Sequence, residues 1–331
     1  MNNVDNSNLT ILVTGGCGYL GSQLIRDFYE LKNELGSIPT IRILDNMESG
    51  KHNAIMNLPP DGKYQFIEGD ILDPAALRRS LDGVDVVVHL AAKVNTPLSF
   101  NNPGWVQQVN QWGTAALVDA CAEKGVQRII YTSDTAVYGP GITATEGDVC
   151  KPLGSYAQSK FEGEKYIQLG TNRGVNSTIL RFGTFCGRST VTRFESVANK
   201  LAFYAGVNRA LTVYGDGKQT RPFITIKDAS DAILFSILNS EDTSNAIFNV
   251  ASENFTVLDI VERIQTNKPE TRVRYVEQDI RTRYNYEASS NKFHSIGWKP
   301  KYPIYDALED IINLFQGFDK LESDVNANEI L

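Results

Sequence analysis

Val13-Thr14-Gly15-Gly16-Cys17-Gly18-Tyr19-Leu20-Gly21 is the stretch on which the reading of this chain turns. Leu9 to Val13, which runs into it, is aliphatic and β-branched, as expected of a central parallel strand covered on both faces. After it, Leu20, Leu24, Phe28, Leu31 and Leu35 recur at helical spacing, which predicts a helix over Tyr19 to Leu35. A glycine loop between strand and helix is a phosphate cradle. Gly15 permits the tight turn, Gly18 admits a pyrophosphate to the backbone, and Gly21 lets helix and strand pack closely. The helix N-terminus, with Tyr19 and Leu20, adds N–H donors and the positive end of a dipole.

A second strand, Thr40 to Leu44, ends in Asp45-Asn46 and a polar turn. A carboxylate there accepts hydrogen bonds from both adenosine ribose hydroxyls and repels a 2′-phosphate, which selects NAD over NADP. Arg42, three residues earlier, is expected to point to the opposite side of the strand, away from the cofactor.

Further strands are predicted at Tyr64–Glu68, Val84–Ala92, Val126–Ser133 and Ser177–Phe182. Helices are predicted at Pro74–Leu81, Trp105–Lys124 and Ser155–Leu169. This alternation gives a doubly wound parallel sheet with right-handed crossovers. Its ligand-bearing carboxyl ends are then Gly15, Asp45, Asp70, Ala91, Ser133-Asp134 and Phe182 to Thr184. Later in the chain, Phe248–Val250 reads as a strand, Val257–Gln265 and Ile304–Phe315 as helices, and Asp228 as a helix cap.

The composition fits an enzyme of this kind. The 331 residues suffice for one large domain with a smaller attachment, and 32 basic against 39 acidic residues give a net charge of −7. That balance argues against nucleic-acid or anionic-membrane partners. No apolar run reaches the ~20 residues of a membrane span, and Met1 to Asn8 lacks a leader's charged and apolar regions, so a cytoplasmic protein is expected. Cys17, Cys121, Cys150 and Cys186 form no CxxC pair, so neither a disulfide framework nor a metal site is expected.

Tyr156-Ala157-Gln158-Ser159-Lys160 carries the chemical signal. On a helix, Tyr156 and Lys160 share a face one turn apart. A tyrosine is a poor base at neutral pH, but a neighbouring ammonium and a cationic nicotinamide stabilise its phenolate. Such a pair can take a hydroxyl proton while hydride leaves the same carbon.

With both motifs in place, the chain resembles the extended short-chain dehydrogenase/reductase superfamily, in its branch of NAD-dependent nucleotide-sugar epimerases and dehydratases. The resemblance rests on the glycine loop, Leu44-Asp45-Asn46, Gly69-Asp70-Ile71, His89-Leu90-Ala91-Ala92, Asn110 with Gly113-Thr114, Tyr131 to Gly139, and Tyr156 with Lys160. Its most specific part is Val213-Tyr214-Gly215-Asp216-Gly217-Lys218-Gln219-Thr220-Arg221-Pro222-Phe223. It implies a Rossmann-type NAD-binding domain over 1–182 with a return segment near 223–251. A smaller C-terminal α/β domain over 183–222 and 252–331 would take a nucleotide-diphosphate sugar. It further implies that Asp70 and Ile71 border the adenine and that Ala91 and Ala92 approach the cofactor pyrophosphate and ribose. Lys160 would bond the nicotinamide ribose, with Leu90, Asn110 and Phe182 as further cofactor contacts. Arg221 and Arg281, or Arg283 in place of Arg281, would clamp the substrate diphosphate. Thr184, Asn199, Val213 and Tyr214 are further candidate substrate contacts, and Arg193-Phe194-Glu195 belongs to the segment expected to cover the sugar. A homodimer through the Trp105–Lys124 and Ser155–Leu169 helices is implied as well.

The departures from the family pattern matter equally. Asp134 stands where epimerases carry the serine or threonine that bonds the reacting hydroxyl. At a separation of about 5 Å, an ionised Asp134 would disfavour the Tyr156 phenolate by roughly 3 kcal/mol. Asp134 then either stays protonated and donates, takes the substrate proton itself, or leaves the role to Ser133 or Thr135. Dehydratases of the family carry Asp-Glu where this chain has Thr135-Ala136, which disfavours water elimination. Thr184 replaces a frequent asparagine, and Cys186 is read as a packed small residue rather than an acid or base.

The leading expectation is a redox-neutral UDP-hexose 4-epimerase working through a transient 4-keto sugar. A 4,6-dehydratase or 4-keto-sugar reductase is the enzymatic alternative, and a catalytically silent nucleotide-sugar sensor is the alternative of another class.

Overall fold

The computed structural model describes residues 9–94, 102–141, 143–277 and 284–318. Its centre is a parallel sheet of seven strands: β1 (Thr10–Thr14), β2 (Thr40–Asp45), β3 (Lys63–Glu68), β4 (Val86–His89), β5 (Arg128–Asp134), β6 (Asn176–Phe182) and β10 (Ala246–Val250). Their spatial order is β10-β6-β5-β4-β1-β2-β3, and every neighbouring pair is parallel. The fold is a Rossmann-type α/β fold. Its order reverses between β1 and β4, where a crevice opens beyond the carboxyl ends of the strands.

The strand residues explain why both faces are covered. Successive side chains point to opposite faces, so Ile11 and Val13 enter one core cluster with Leu24, Ile25 and Ile233, while Leu12 enters another with Leu77 and Leu117. Burying each such aliphatic side chain contributes about 1.5–3 kcal/mol. The flanking helices are α1 (Tyr19–Asp27), α2 (Pro74–Ser80), α3 (Gly113–Lys124), α4 (Gly154–Thr171) and α6 (Ile226–Leu238).

A smaller layer forms round a third cluster that includes Leu201, Phe223, Ile260 and Leu308. It comprises β7 (Thr184–Cys186), α5 (Val197–Gly206), β8 (Leu211–Tyr214), β9 (Thr220–Thr225), β11 (Glu253–Thr256), α7 (Val257–Asn267), β12 (Val273–Val276) and α8 (Ile304–Asn313). Here β9 lies between β7 and β11, and β8 pairs with β12.

Three local expectations are corrected. The helix expected over Tyr19–Leu35 ends at Asp27, passes through a 3₁₀ turn at Phe28–Leu31, and resumes at Lys32–Leu35. Phe28 and Leu31 are both buried, and the 3₁₀ pitch eclipses residues three apart, so both reach the core from one side. The helix expected over Trp105–Lys124 contains a π turn at Gln108–Trp112 before α3. Its Asn110 is buried, with its amide bonded to both backbone groups of Lys93 and to Ser159 Oγ. The cap of α6 is Thr225 rather than Asp228, whose carboxylate accepts from the Lys301 and Tyr302 backbone. Among the described residues, no helix is long and apolar enough to cross a membrane.

Candidate active site

One cleft of about 1340 Å³ runs along the carboxyl edge of the sheet and continues under the smaller layer. Its floor is the glycine loop. Gly15 has φ of +70°, and a Cβ there would meet Ala91 N at 2.6 Å, so the chain reversal and the close approach of β4 both require glycine. Gly18 caps α1 without any side-chain hydrogen bond, so the helix N-terminus offers its backbone N–H groups to an anion. Asp45 closes the loop from the side: its Oδ2 accepts from Cys17 N at 2.9 Å and its Oδ1 from Met47 N at 2.9 Å. Asn46 donates to Asp70 at 2.8 Å. Arg42 points elsewhere, to the carbonyls of Ser80 and Asp82. An uncapped helix start beside a strand-end carboxylate fits a dinucleotide. Leu20, Ile71, Leu90, Ala91, Ala92 and Phe182 complete this half of the lining.

Two residues expected to touch the cofactor do otherwise with their side chains. The Tyr19 hydroxyl donates to Gly187 O and accepts from Asn199 Nδ2, tying the glycine loop to the segment beyond β7. Asn110 is absent from the cleft lining and holds Lys93 instead.

The candidate reacting groups lie where β5 ends and α4 begins. Tyr156 OH donates to Asp134 Oδ2 at 3.1 Å, and Asp134 Oδ1 accepts from Ala136 N at 2.8 Å. Lys160 Nζ donates to Thr132 O at 2.8 Å from one turn further along α4. Tyr156 and Asp134 are thus in direct hydrogen-bond contact, closer than the spacing expected from sequence. Neither hydroxyl beside Asp134 can replace it. Ser133 donates to Glu164 on the far side of the strand, where Arg181 also binds that carboxylate, and Thr135 donates to Phe182 O at 3.1 Å.

Burial and charge set the proton affinities. Burial raises the Asp134 carboxyl above its ordinary value, against the pull of the Ala136 N–H, the Tyr156 hydroxyl and the Lys160 charge. Burial and then the Asp134 charge push Tyr156 well above the ordinary phenol. Burial lowers Lys160 to about 8, while Asp134 and Glu164 hold it up. Arg193 adds a positive charge that acts on both Asp134 and Tyr156, and its Nη2 donates to Val94 O at 3.0 Å. Both proton affinities are therefore raised, and a free Tyr156 phenolate is disfavoured beside an ionised Asp134.

Under the smaller layer, Thr184, Tyr214, Gln219 and Arg221 line the cleft. The Arg221 guanidinium lies 4.5 Å from the Tyr286 ring centre and 5.4 Å from that of Tyr284, and it donates to the Tyr284 carbonyl. Tyr284 and Tyr286 escaped the sequence reading, because a Tyr-x-Tyr pair beyond the last clear motif gives no signal of its own. Two candidate substrate contacts are corrected. Val213 is fully buried in the third core cluster. Asn199 is fully buried as well, its amide bonded to Gly187 N, Tyr19 OH and Arg193 O, so it braces the covering segment. Cys186 is buried against Ile224 O, and burial raises its thiol. Arg281 and Arg283 lie outside the described residues.

The sequence profile of the NAD dependent epimerase/dehydratase family matches residues 11–251. A putative UDP-glucose 4-epimerase of Methanocaldococcus jannaschii is 28% identical over 92% of this chain and 97% of its own length. The dTDP-D-glucose 4,6-dehydratase of Mus musculus is also 28% identical, over 92% of this chain and 88% of its own. Among solved structures, UDP-glucuronic acid 4-epimerase of Bacillus cereus, in complex with UDP-glucuronic acid and NAD, superposes with a TM-score of 0.83 at 25% identity. The superposition covers 93% of this chain and 99% of that one. The glycine loop, Asp45 and the Tyr156–Lys160 face thus sit in a chain that belongs to the NAD dependent epimerase/dehydratase family, with NAD as its cofactor.

Proposed function

We propose that this protein is a cytoplasmic, redox-neutral nucleotide-sugar 4-epimerase of UDP-hexose type, in which Asp134 is the final proton acceptor. The observation that carries the reading is the 3.1 Å hydrogen bond from Tyr156 to Asp134. When bound, NAD supplies a hydride acceptor that is regenerated within each turnover. The proton steps belong to the chain. As the sugar C4–H bond breaks, Tyr156 takes the C4 hydroxyl proton and passes its own to Asp134, so no free phenolate forms beside a carboxylate. The return step reverses both transfers on the other face of the 4-keto sugar. Lys160 holds the cofactor ribose, and its charge stabilises the Asp134–Tyr156 pair.

Thr135 and Ala136 support epimerisation over dehydration. Eliminating water across carbons 5 and 6 needs a further acid and base, yet the Thr135 hydroxyl is engaged by Phe182 O and Ala136 has no proton to exchange. Arg221, braced by Tyr284 and Tyr286, holds the substrate diphosphate in this reading, as a planar fork suited to two phosphate oxygens. Residues 1–182 with 223–251 serve NAD, and 183–222 with 252–331 serve the nucleotide sugar. The UDP-sugars in the names of the M. jannaschii and B. cereus relatives favour uridine. A homodimer through α3 and α4 is supported by Trp112, at the end of the π turn before α3, and Leu169 on α4, which remain 58% and 56% exposed.

The test is incubation of the purified protein, without added cofactor, with a panel of nucleotide sugars in heavy water. The expected product is an isomer of unchanged mass inverted at carbon 4. Deuterium at carbon 3 or 5 would mean enolisation, and loss of water would mean dehydration. Turnover only with added NAD(P)H would mean a reductase. No change with any sugar would favour a silent sensor.

A further inference from the structure

The loops that follow β2 and β4 meet above the glycine loop. Because β1 lies between β4 and β2 in the sheet, any contact joining those two outer loops crosses the crevice that opens beyond β1. Such a contact exists: Lys93 Nζ, four residues beyond β4, pairs with Glu48 Oε2, three residues beyond β2. Both residues line the cleft together with Gly15, Gly18 and Asp45. The lysine is held from three further directions. Its Nζ lies 4.0 Å from the Trp105 ring centre. Its backbone N–H donates to Asn110 Oδ1 at 2.7 Å, and its carbonyl accepts from Asn110 Nδ2 at 3.0 Å. The π turn at Gln108–Trp112 thereby gains a purpose, because it carries the Asn110 that fixes Lys93.

We propose that Glu48 and Lys93 form a clasp across the mouth of the dinucleotide groove, and that opening this clasp limits the release of NAD. A redox-neutral enzyme has no use for cofactor exchange, and a charged bridge over the groove slows exchange without touching the reacting atoms. The pair is partly exposed, at 22% for the Lys93 side chain and 44% for that of Glu48, so its effect belongs to the range of surface ion pairs. The clasp does not depend on which sugar the site transforms, since its readout is the cofactor alone.

The experiment loads the full chain with NAD, removes the excess by gel filtration and traps released NAD with alcohol dehydrogenase and ethanol, following NADH fluorescence. Lys93→Glu and Glu48→Lys each place like charges face to face and are expected to accelerate release about five-fold. The double reversal restores an ion pair and is expected to return release to within about two-fold of the native rate. If Lys93→Glu alone speeds release, Glu48→Lys slows it and the double reversal gives no recovery, then Lys93 acts on the cofactor phosphates and the clasp is refuted. Equal release from all four proteins refutes it as well. Failure of the heavy-water assay alongside a recovered double reversal would remove the sugar chemistry and leave the clasp standing.

Discussion

Replacing Asp134 by asparagine keeps the shape of the Tyr156 partner and removes its charge. The two groups are bonded at 3.1 Å, which sets their charge centres about 4 Å apart. At an effective dielectric near 20, an ionised Asp134 then disfavours the Tyr156 phenolate by about 4 kcal/mol. In the native protein Asp134 must be ionised to accept a proton, so the rate rises with pH through a carboxylate whose affinity burial has raised. Asp134→Asn deletes that limb. Any remaining turnover depends on the Tyr156 phenolate and rises only in the alkaline range, because burial still holds that phenol above its ordinary value once the Asp134 charge is gone. At neutral pH the loss of the base is expected to lower kcat by about 10²–10⁴. The assay is the pH dependence of kcat in the native and Asp134→Asn proteins. A near-ultraviolet difference titration of Asp134→Asn against Asp134→Asn/Tyr156→Phe locates the phenolate without substrate. A variant that keeps the native rate at neutral pH and the native acid limb would refute the proton path.

Other measurements probe the scaffold. His89 is buried between Thr14 and Thr114, and burial lowers its pKa to about 3. Its contribution to stability is present above the unfolded value of about 6.5 and is lost as pH falls towards the folded one. Urea titrations below pH 6 should therefore show a loss of up to about 1.4 kcal/mol per pH unit that His89→Gln abolishes. The Glu164–Arg181 pair is 2% and 3% exposed, with guanidinium Nε and Nη2 both donating to the carboxylate. Glu164→Leu should cost about 3–5 kcal/mol by urea unfolding, and Glu164→Leu/Arg181→Met markedly less, because the second change removes the stranded charge. Gly15→Ala should abolish retention of NAD on gel filtration, since its Cβ would stand 2.6 Å from Ala91 N at a φ that alanine rarely adopts.

The sheet, the cofactor and the shared helix face of Tyr156 and Lys160 were legible in the residues alone. Strand–glycine loop–helix is a local pattern with one mechanical solution, and Asp45 and Tyr156–Lys160 sit at offsets that strand ends and one helical turn impose. What each polar side chain faces came from the packing of separate elements. Asn199 and Val213 stand beside cleft residues in the sequence but turn into the core. Ser133 and Asp134 are adjacent in the chain, yet the strand sends one to Glu164 and the other to Tyr156. The same applies to Arg221 on Tyr286 and to Lys93 on Glu48, contacts across 65 and 45 residues of chain. Periodicity fixes which face of an element is apolar. The partner of a polar group is set by how separate elements pack, and no local spacing encodes that distance.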